Sequence, residues 1–175
     1  MERSLLIIGG RLLPKGGNGM KIRHPLFVGL VAAFTLSLAI VAASAMAAET
    51  PFKGTVSAVE TGTVVPPLRF LDREGTGNAT HLGKYTEHIT MVINLVTMAS
   101  TGTATFTAAN GDDLLATVAG QATRTSPTTL SIVEVYTITG GTGRFADATG
   151  SFTLESTVDQ TTGASSGAFS GTIDH

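Results

Sequence analysis

Apolar and polar residues alternate in short runs from residue 50 to the C-terminus. Strict alternation predicts β-strands with one buried face and one face in water. The runs predict eight antiparallel strands, at residues 53–60, 67–73, 84–94, 103–109, 114–124, 129–139, 151–159 and 165–173. Because no stretch of ten or more residues in this region has a helical period, the predicted class is all-β.

Turn-forming residues separate the predicted strands. Asn110-Gly111 is a strong tight-turn signal because both residues tolerate a positive φ. Further turns are predicted at Pro66-Pro67, Thr125-Ser126-Pro127 and Thr161-Thr162-Gly163. In the second strand, Leu68 and Phe70 are expected to face the core together. Residues 72–80 are expected to form a loop or an irregular edge, because Gly75 and Gly77 interrupt the pattern.

Eight short strands joined by tight turns close naturally into a small barrel. The interior of such a barrel is filled by side chains or holds one small ligand. A two-sheet sandwich is the alternative, because alternation alone does not distinguish the two architectures. The predicted fold is therefore an eight-stranded antiparallel barrel formed by residues 48–175 as a single domain.

The N-terminal quarter has a different pattern. A short basic region at residues 21–24 precedes an uncharged run, and Ala45-Met46-Ala47 supplies small residues at its end. This layout predicts a helical signal peptide over residues 20–47, removed on export to the periplasm or the medium. Residues 26–45 are also long enough to span a bilayer, so an inner-membrane anchor is the alternative. Residues 1–19 are interpreted as unstructured or as an over-extended start.

Charge and cysteine content narrow the classes of partner. The predicted mature chain has six Lys and Arg against twelve Asp and Glu, a formal charge of −6. An acidic surface argues against nucleic acid or an anionic membrane as a partner. The sequence contains no cysteine, which excludes a lipid-anchored lipoprotein, a thiol nucleophile and a thiolate metal site.

A glycine-rich segment lies between the sixth and seventh predicted strands. Gly140-Gly141-Thr142-Gly143-Arg144-Phe145, followed by Ala148 and Gly150, resembles the Gly-Gly-Thr-Gly-basic-Phe-x-x-Ala-x-Gly signature of dirigent proteins. Allene oxide cyclases carry a looser version. The resemblance implies a calycin-like eight-stranded barrel with a central cavity, often trimeric, that steers a reactive intermediate without a cofactor. The sequence looks most like bacterial secreted members without assigned activity. The cavity residues of the plant families do not map onto positions here.

The glycine segment itself favours a structural role. Consecutive glycines such as Gly140 and Gly141 permit backbone angles that other residues avoid. Phe145 is expected to plug the barrel end, and Gly150 restarts the strand. A phosphate-binding loop is the alternative, but the segment lacks the Lys-Ser/Thr ending and the following helix that such loops need.

Polar side chains interrupt the inward face of two predicted strands. They are Tyr85 and Glu87 on one strand, and Glu134 and Tyr136 on the other. A carboxylate in an apolar cavity has a raised pKa, so both glutamates are candidate acids or bases. The alternatives are that these groups satisfy one another, that they pair with Arg69 or Arg124, or that a bulge exposes them.

Other residues in the lumen are expected to contact a ligand. Phe106 and Met91 share the inward face with Tyr85 and Tyr136, and all four are candidate ligand-binding residues. His81 and His88 are seven residues apart and would face opposite sides of one strand, so no metal site is predicted. No cofactor is predicted either.

Three functions fit these patterns. The leading one is an exported, cofactor-free barrel that binds a small, mostly apolar molecule in its lumen without catalysis. The second is an isomerase or cyclase of the allene oxide cyclase or dirigent type, with Glu134 or Glu87 as the acid–base residue. The third is a structural or interaction barrel, and the resemblance adds homo-oligomer formation to the expectations.

Overall fold

A computed structural model describes residues 49–175, which form one closed antiparallel β-barrel. The predicted signal peptide and residues 1–19 lie outside the described residues. The strands are β1 (Thr50–Val65), β2 (Leu68–Ala79), β3 (Gly83–Asn94), β4 (Ala99–Ala108), β5 (Asp113–Arg124), β6 (Thr129–Gly141), β7 (Thr149–Asp159) and β8 (Ala164–Asp174). Each strand pairs with the next, and β8 pairs with β1. Closure confirms the barrel and excludes the sandwich. Over residues 49–175, no helix is long and apolar enough to cross a membrane.

The barrel follows from the alternation in the sequence. Along β3 and β6, buried and exposed residues alternate almost without exception. Successive side chains of a strand point to opposite faces, so one apolar row from each strand enters the lumen. The outer rows are rich in threonine, whose β-branched side chain suits an exposed strand position. Val133 and Val135 lie on the outer face of β6 and are about half exposed.

Two predictions about the second strand are wrong. Leu71 and Arg73 point inward, whereas Phe70 is 47% exposed and Leu68 is only partly buried. Residues 72–79 are regular strand rather than loop, because β2 pairs continuously with β1 and β3 up to Ala79. The inward position therefore continues from Leu71 through Arg73 to Gly75 and Gly77.

Aromatic side chains close one end of the lumen. Five rings lie 4.6 to 5.8 Å apart, those of Phe52, Phe106, Tyr136, Phe152 and Phe169. The loops at this end include the glycine segment, in which residues 143–145 form a single 3-10 turn. Edge-to-face and stacked rings at these distances pack efficiently, so this half of the lumen is solid core.

Phe145 completes the closed end. Its side chain is fully buried and belongs to the same core as the five rings. The Arg144 guanidinium lies 4.8 Å from the centre of the Phe145 ring, and Arg144 donates a hydrogen bond to the carbonyl of His81. The glycine segment is thus a strand connector that plugs the barrel, as the sequence predicts.

Candidate functional site

A layer of ionisable side chains crosses the lumen beside the aromatic core. At its centre is Arg73, whose side chain is 1% exposed. Its Nε donates to Glu87 Oε1 at 3.2 Å, and its Nη1 donates to both carboxylate oxygens of Glu134 at 3.2 and 3.0 Å. Its Nη2 donates to the hydroxyl of Tyr136, which in turn donates to Glu134 Oε2 at 2.8 Å. These four residues are called the Arg73 cluster below.

Glycines on neighbouring strands make room for the polar side chains. Gly75 pairs with Glu87 across β2 and β3, and a Cβ there would lie 3.0 Å from the Glu87 side chain. Gly120 pairs with Glu134 across β5 and β6, and a Cβ there would lie 2.9 Å from Glu134 Cγ. Such distances are too short for unstrained carbon contacts, so only glycine fits at these two positions.

Burial changes the acid–base behaviour of the Arg73 cluster. Desolvation raises the pKa of Glu87 to about 6, although the charge of Arg73 opposes the rise. Desolvation likewise raises the pKa of Tyr136 well above its ordinary value, again against Arg73. Burial alone would lower the pKa of Arg73, but Tyr136, Glu134 and Glu87 outweigh it, so the guanidinium stays charged.

A cavity of about 510 Å³ occupies the other half of the lumen. It lies between the Arg73 cluster and the end of the barrel that carries the turns after β1, β3, β5 and β7. Its walls are about equally apolar and polar. The apolar residues include Leu71, Met91, Ile93, Met98, Ala122, Leu130, Ile132 and Val158, and the polar ones include Ser100, Gln160, Thr161 and Thr162. Glu134 and Glu60 also line it, and both side chains are buried. The volume lies within the usual range for small-molecule sites.

A second ion pair lies in this cavity. Glu60 Oε2 is 3.7 Å from Arg69 Nη1, and the Glu60 side chain is 3% exposed while that of Arg69 is 25% exposed. Burial raises the pKa of Glu60, against the charges of Arg73 and Arg69. Within residues 49–175, the Glu60 carboxylate accepts no hydrogen bond from a protein donor. It is therefore a largely buried acceptor at the wall of the cavity.

The candidate residues from the sequence separate into three groups. Glu87, Glu134 and Tyr136 meet around Arg73, and Met91 lines the cavity. Tyr85 and Phe106 instead pack in the aromatic half, with ring centres 5.8 Å apart, and the Tyr85 hydroxyl donates to the carbonyl of Thr55. The motif residues Gly140, Gly141, Gly143, Phe145 and Gly150 lie at the closed end, away from the cavity.

Neither Arg69 nor Arg124, the cations named as alternative partners, pairs with Glu87 or Glu134. Arg69 faces Glu60, and Arg124 donates to the carbonyl of Pro127 and the side chain of Gln160 at the rim. The partner of both Glu87 and Glu134 is Arg73. A polar network among the inward residues, the alternative considered for these glutamates, is what the structure contains.

The sequence analysis did not identify two residues of the site, Arg73 and Glu60. Arg73 ends the predicted second strand, but Leu68 and Phe70 were expected to face inward, and that parity places Arg73 on the outer face. Arg73 in fact shares the inward face with Leu71, Gly75 and Gly77. Glu60 follows Val56 and Ala58 in a strictly alternating run, so the parity of β1 alone places it in the lumen. Glu60 could be found by counting along the predicted first strand, and Arg73 by extending the alternation back from Gly75 and Gly77.

The outer surface carries a larger but shallower hollow. It measures about 670 Å³ and extends over β1 to β4, where Thr76, Lys84 and Thr107 line it. None of the buried carboxylates reaches it. The lumen cavity is therefore the better candidate site, because polar and apolar groups converge there inside the barrel.

Comparisons of this chain with protein-family models, curated proteins and solved structures give no match.

Proposed function

We propose that this protein is an exported β-barrel that binds a small, mostly apolar molecule in the open half of its lumen. The observation that carries the proposal is the cavity of about 510 Å³, with aliphatic and Met side chains on its walls and the buried Glu60 and Glu134 also lining it. Burying an apolar ligand there contributes on the order of 25 cal/mol for each Å² removed from water. The buried carboxylates would orient the polar end of the ligand.

The resemblance of the glycine segment to dirigent proteins and allene oxide cyclases supports this proposal. Proteins of that superfamily use the lumen of a barrel rather than a surface cleft. In this chain the segment and Phe145 plug one end, which leaves the other end for the ligand to enter. Export as a signal-peptide precursor is part of the proposal, and N-terminal sequencing of the purified protein tests it: a start near Ala48 is expected, and a start at Met1 or Met20 contradicts it.

Filling the cavity tests the binding proposal. Ala122 lines the cavity on β5, and Ala119 lies three residues away on the outer face of the same strand. The protein is expressed from the full chain and analysed by native mass spectrometry with a panel of apolar small molecules. We expect Ala122→Trp to abolish the bound species and the matched control Ala119→Trp to retain it. Equal binding by both variants, or none by the wild type, would overturn the proposal.

A second candidate function is catalysis by a cofactor-free isomerase or cyclase. The observation that favours it is the position of Glu134. Its carboxylate lines the cavity and accepts hydrogen bonds from Arg73 and Tyr136. A positioned carboxylate can accept or return a proton at a bound ligand. The candidate Glu87 touches Arg73 but does not line the cavity, so we assign it a positioning role. If a turned-over substrate is identified and Glu134→Gln leaves its turnover unchanged, this function is excluded.

A further inference from the structure

The charges that face the lumen do not balance. Three buried carboxylates, those of Glu60, Glu87 and Glu134, share the interior with only two guanidiniums over residues 49–175. Arg73 holds two of the carboxylates by hydrogen bonds of 3.0 to 3.2 Å. With every group ionised, the interior carries one excess negative charge. An unmatched buried charge is costly and favours a positively charged partner.

The excess charge belongs to the Arg73 cluster, whereas the unused acceptor capacity at the cavity wall lies on Glu60. Glu134 is occupied by Arg73 and Tyr136, whereas Glu60 accepts no hydrogen bond among the described residues and reaches Arg69 only at 3.7 Å. That separation exceeds normal hydrogen-bond length, so the pair leaves acceptor capacity on Glu60 unused. Because the Glu60 side chain is 3% exposed, that capacity faces the cavity rather than bulk water.

The walls around Glu60 define the rest of the ligand. Leu71 and Met91 line the same cavity, as do Ile132 and Val158 from the opposite strands. A molecule that matches Glu60 and these apolar side chains has an apolar body and a hydrogen-bonding cationic group at one end. A fatty carboxylate would instead add a fourth negative charge to the interior.

We propose that the cavity binds a cationic amphiphile, an alkylamine type of molecule whose ammonium group lies against the Glu60 carboxylate. This inference rests on the proposed function and specifies its ligand class. The ammonium donates a charge-assisted hydrogen bond to Glu60, and the chain fills the space between Leu71, Met91 and Ile132. Among residues 49–175, Arg69, which is a quarter exposed, is the cation that forms an ion pair with Glu60, and it would compete with the ligand.

Three probes of equal chain length test the head group. Decylamine, decanol and decanoate are titrated by calorimetry into the protein expressed from the full chain, at about pH 8, where the amine is protonated. We expect decylamine to bind at least about tenfold more tightly than either other probe, as a charge-assisted hydrogen bond implies. Equal or tighter binding of decanol or decanoate overturns the amine assignment and leaves the binding function standing. Binding of none of the three overturns the function itself.

Two variants with opposite expected effects on decylamine affinity test where the ammonium group binds. Glu60→Gln keeps the size of the side chain and removes its charge, so decylamine affinity should fall about tenfold or more while decanol affinity stays within a few-fold. Arg69→Gln removes the competing cation and should strengthen decylamine binding. Glu155→Gln, an exposed carboxylate on the outer face of β7, is the matched control and should change neither. Retained decylamine preference in Glu60→Gln contradicts the proposal, and retained decanol binding shows that the variant is folded.

Discussion

Replacement of Arg73 by methionine is expected to destabilise the barrel strongly. Arg73→Met keeps an unbranched apolar side chain in the lumen but leaves Glu87, Glu134 and Tyr136 without their shared donor. Removing one partner of a buried ion pair costs about 3–5 kcal/mol, because an uncompensated charge stays in a medium that solvates it poorly. Domains of this kind have about 5–15 kcal/mol of stability in total. The loss should therefore be a large fraction of the whole.

The assay is urea unfolding followed by circular dichroism at two pH values. At about pH 7.5 the full loss of about 3–5 kcal/mol is expected. At about pH 5 the loss should be smaller, because carboxylates released from Arg73 take up protons and cease to be buried charges. Arg124→Met is the matched control, since Arg124 is exposed and its partners are rim groups. It should cost less than about 1 kcal/mol.

A triple variant tests whether uncompensated buried charge causes the loss of stability. Arg73→Met combined with Glu87→Gln and Glu134→Gln removes the charges that the single substitution strands in the lumen. The triple variant should be more stable than Arg73→Met alone at about pH 7.5, since replacing a whole buried ion network is often close to neutral. If the triple variant is no more stable than the single one, stranded charge is not the cause of the loss.

Three further predictions concern the pH response, the inner glycines and the plug. Burial raises the pKa of Glu87 to about 6 from an ordinary value of 4.5, so its contribution to stability is full below pH 4.5 and is lost as pH rises through 6. Between pH 4 and pH 8, the free energy of unfolding should therefore fall by about 2 kcal/mol less in Glu87→Gln than in the wild type. Equal pH dependence of the two proteins would contradict the assignment. Gly75→Ala should cost about 1–3 kcal/mol in urea unfolding, because its Cβ would lie 2.7 Å from Ala58 Cβ and 3.0 Å from the Glu87 side chain. Outward-facing Thr76→Ala should cost little, and a neutral Gly75→Ala would show that the lumen has room to spare. Phe145→Ala should lower the free energy of unfolding by about 3–5 kcal/mol because it opens the closed end of the barrel, while Arg144→Ala, at an exposed position, should cost far less. Similar small losses for both variants would show that Phe145 does not plug the barrel.

The fold was largely predictable from the sequence because alternation is a local property. The parity of β3 and β6 alone places Glu87, Glu134 and Tyr136 in the lumen. Which side chains contact one another across the lumen is not a local property, however. The contact between Arg73 and Glu134 joins residues 61 positions apart and depends on how the barrel is staggered. Strand parity gives the face of a residue, but it does not say which residues meet across the lumen.

The open cavity was beyond the reach of the sequence for a related reason. Both halves of the lumen are lined by inward residues of the same alternating rows, and nothing in the pattern separates them. The difference lies in volume: Phe52, Phe152 and Phe169 converge at one end, while aliphatic and Met side chains surround the other. Whether side chains from eight strands fill a lumen depends on their summed size at each level, which only the three-dimensional register reveals.

Methionine methyl NMR tests the central claim, that a small apolar molecule binds in the open half of the lumen. The chain has five methionines, and the two among the described residues, Met91 and Met98, both line the cavity. Titration with decylamine or decanol should shift both methyl resonances in a saturable way, and Ala122→Trp should abolish the shifts. If both resonances stay unchanged at ligand concentrations where binding is detected by calorimetry, the ligand binds elsewhere and the claim is contradicted.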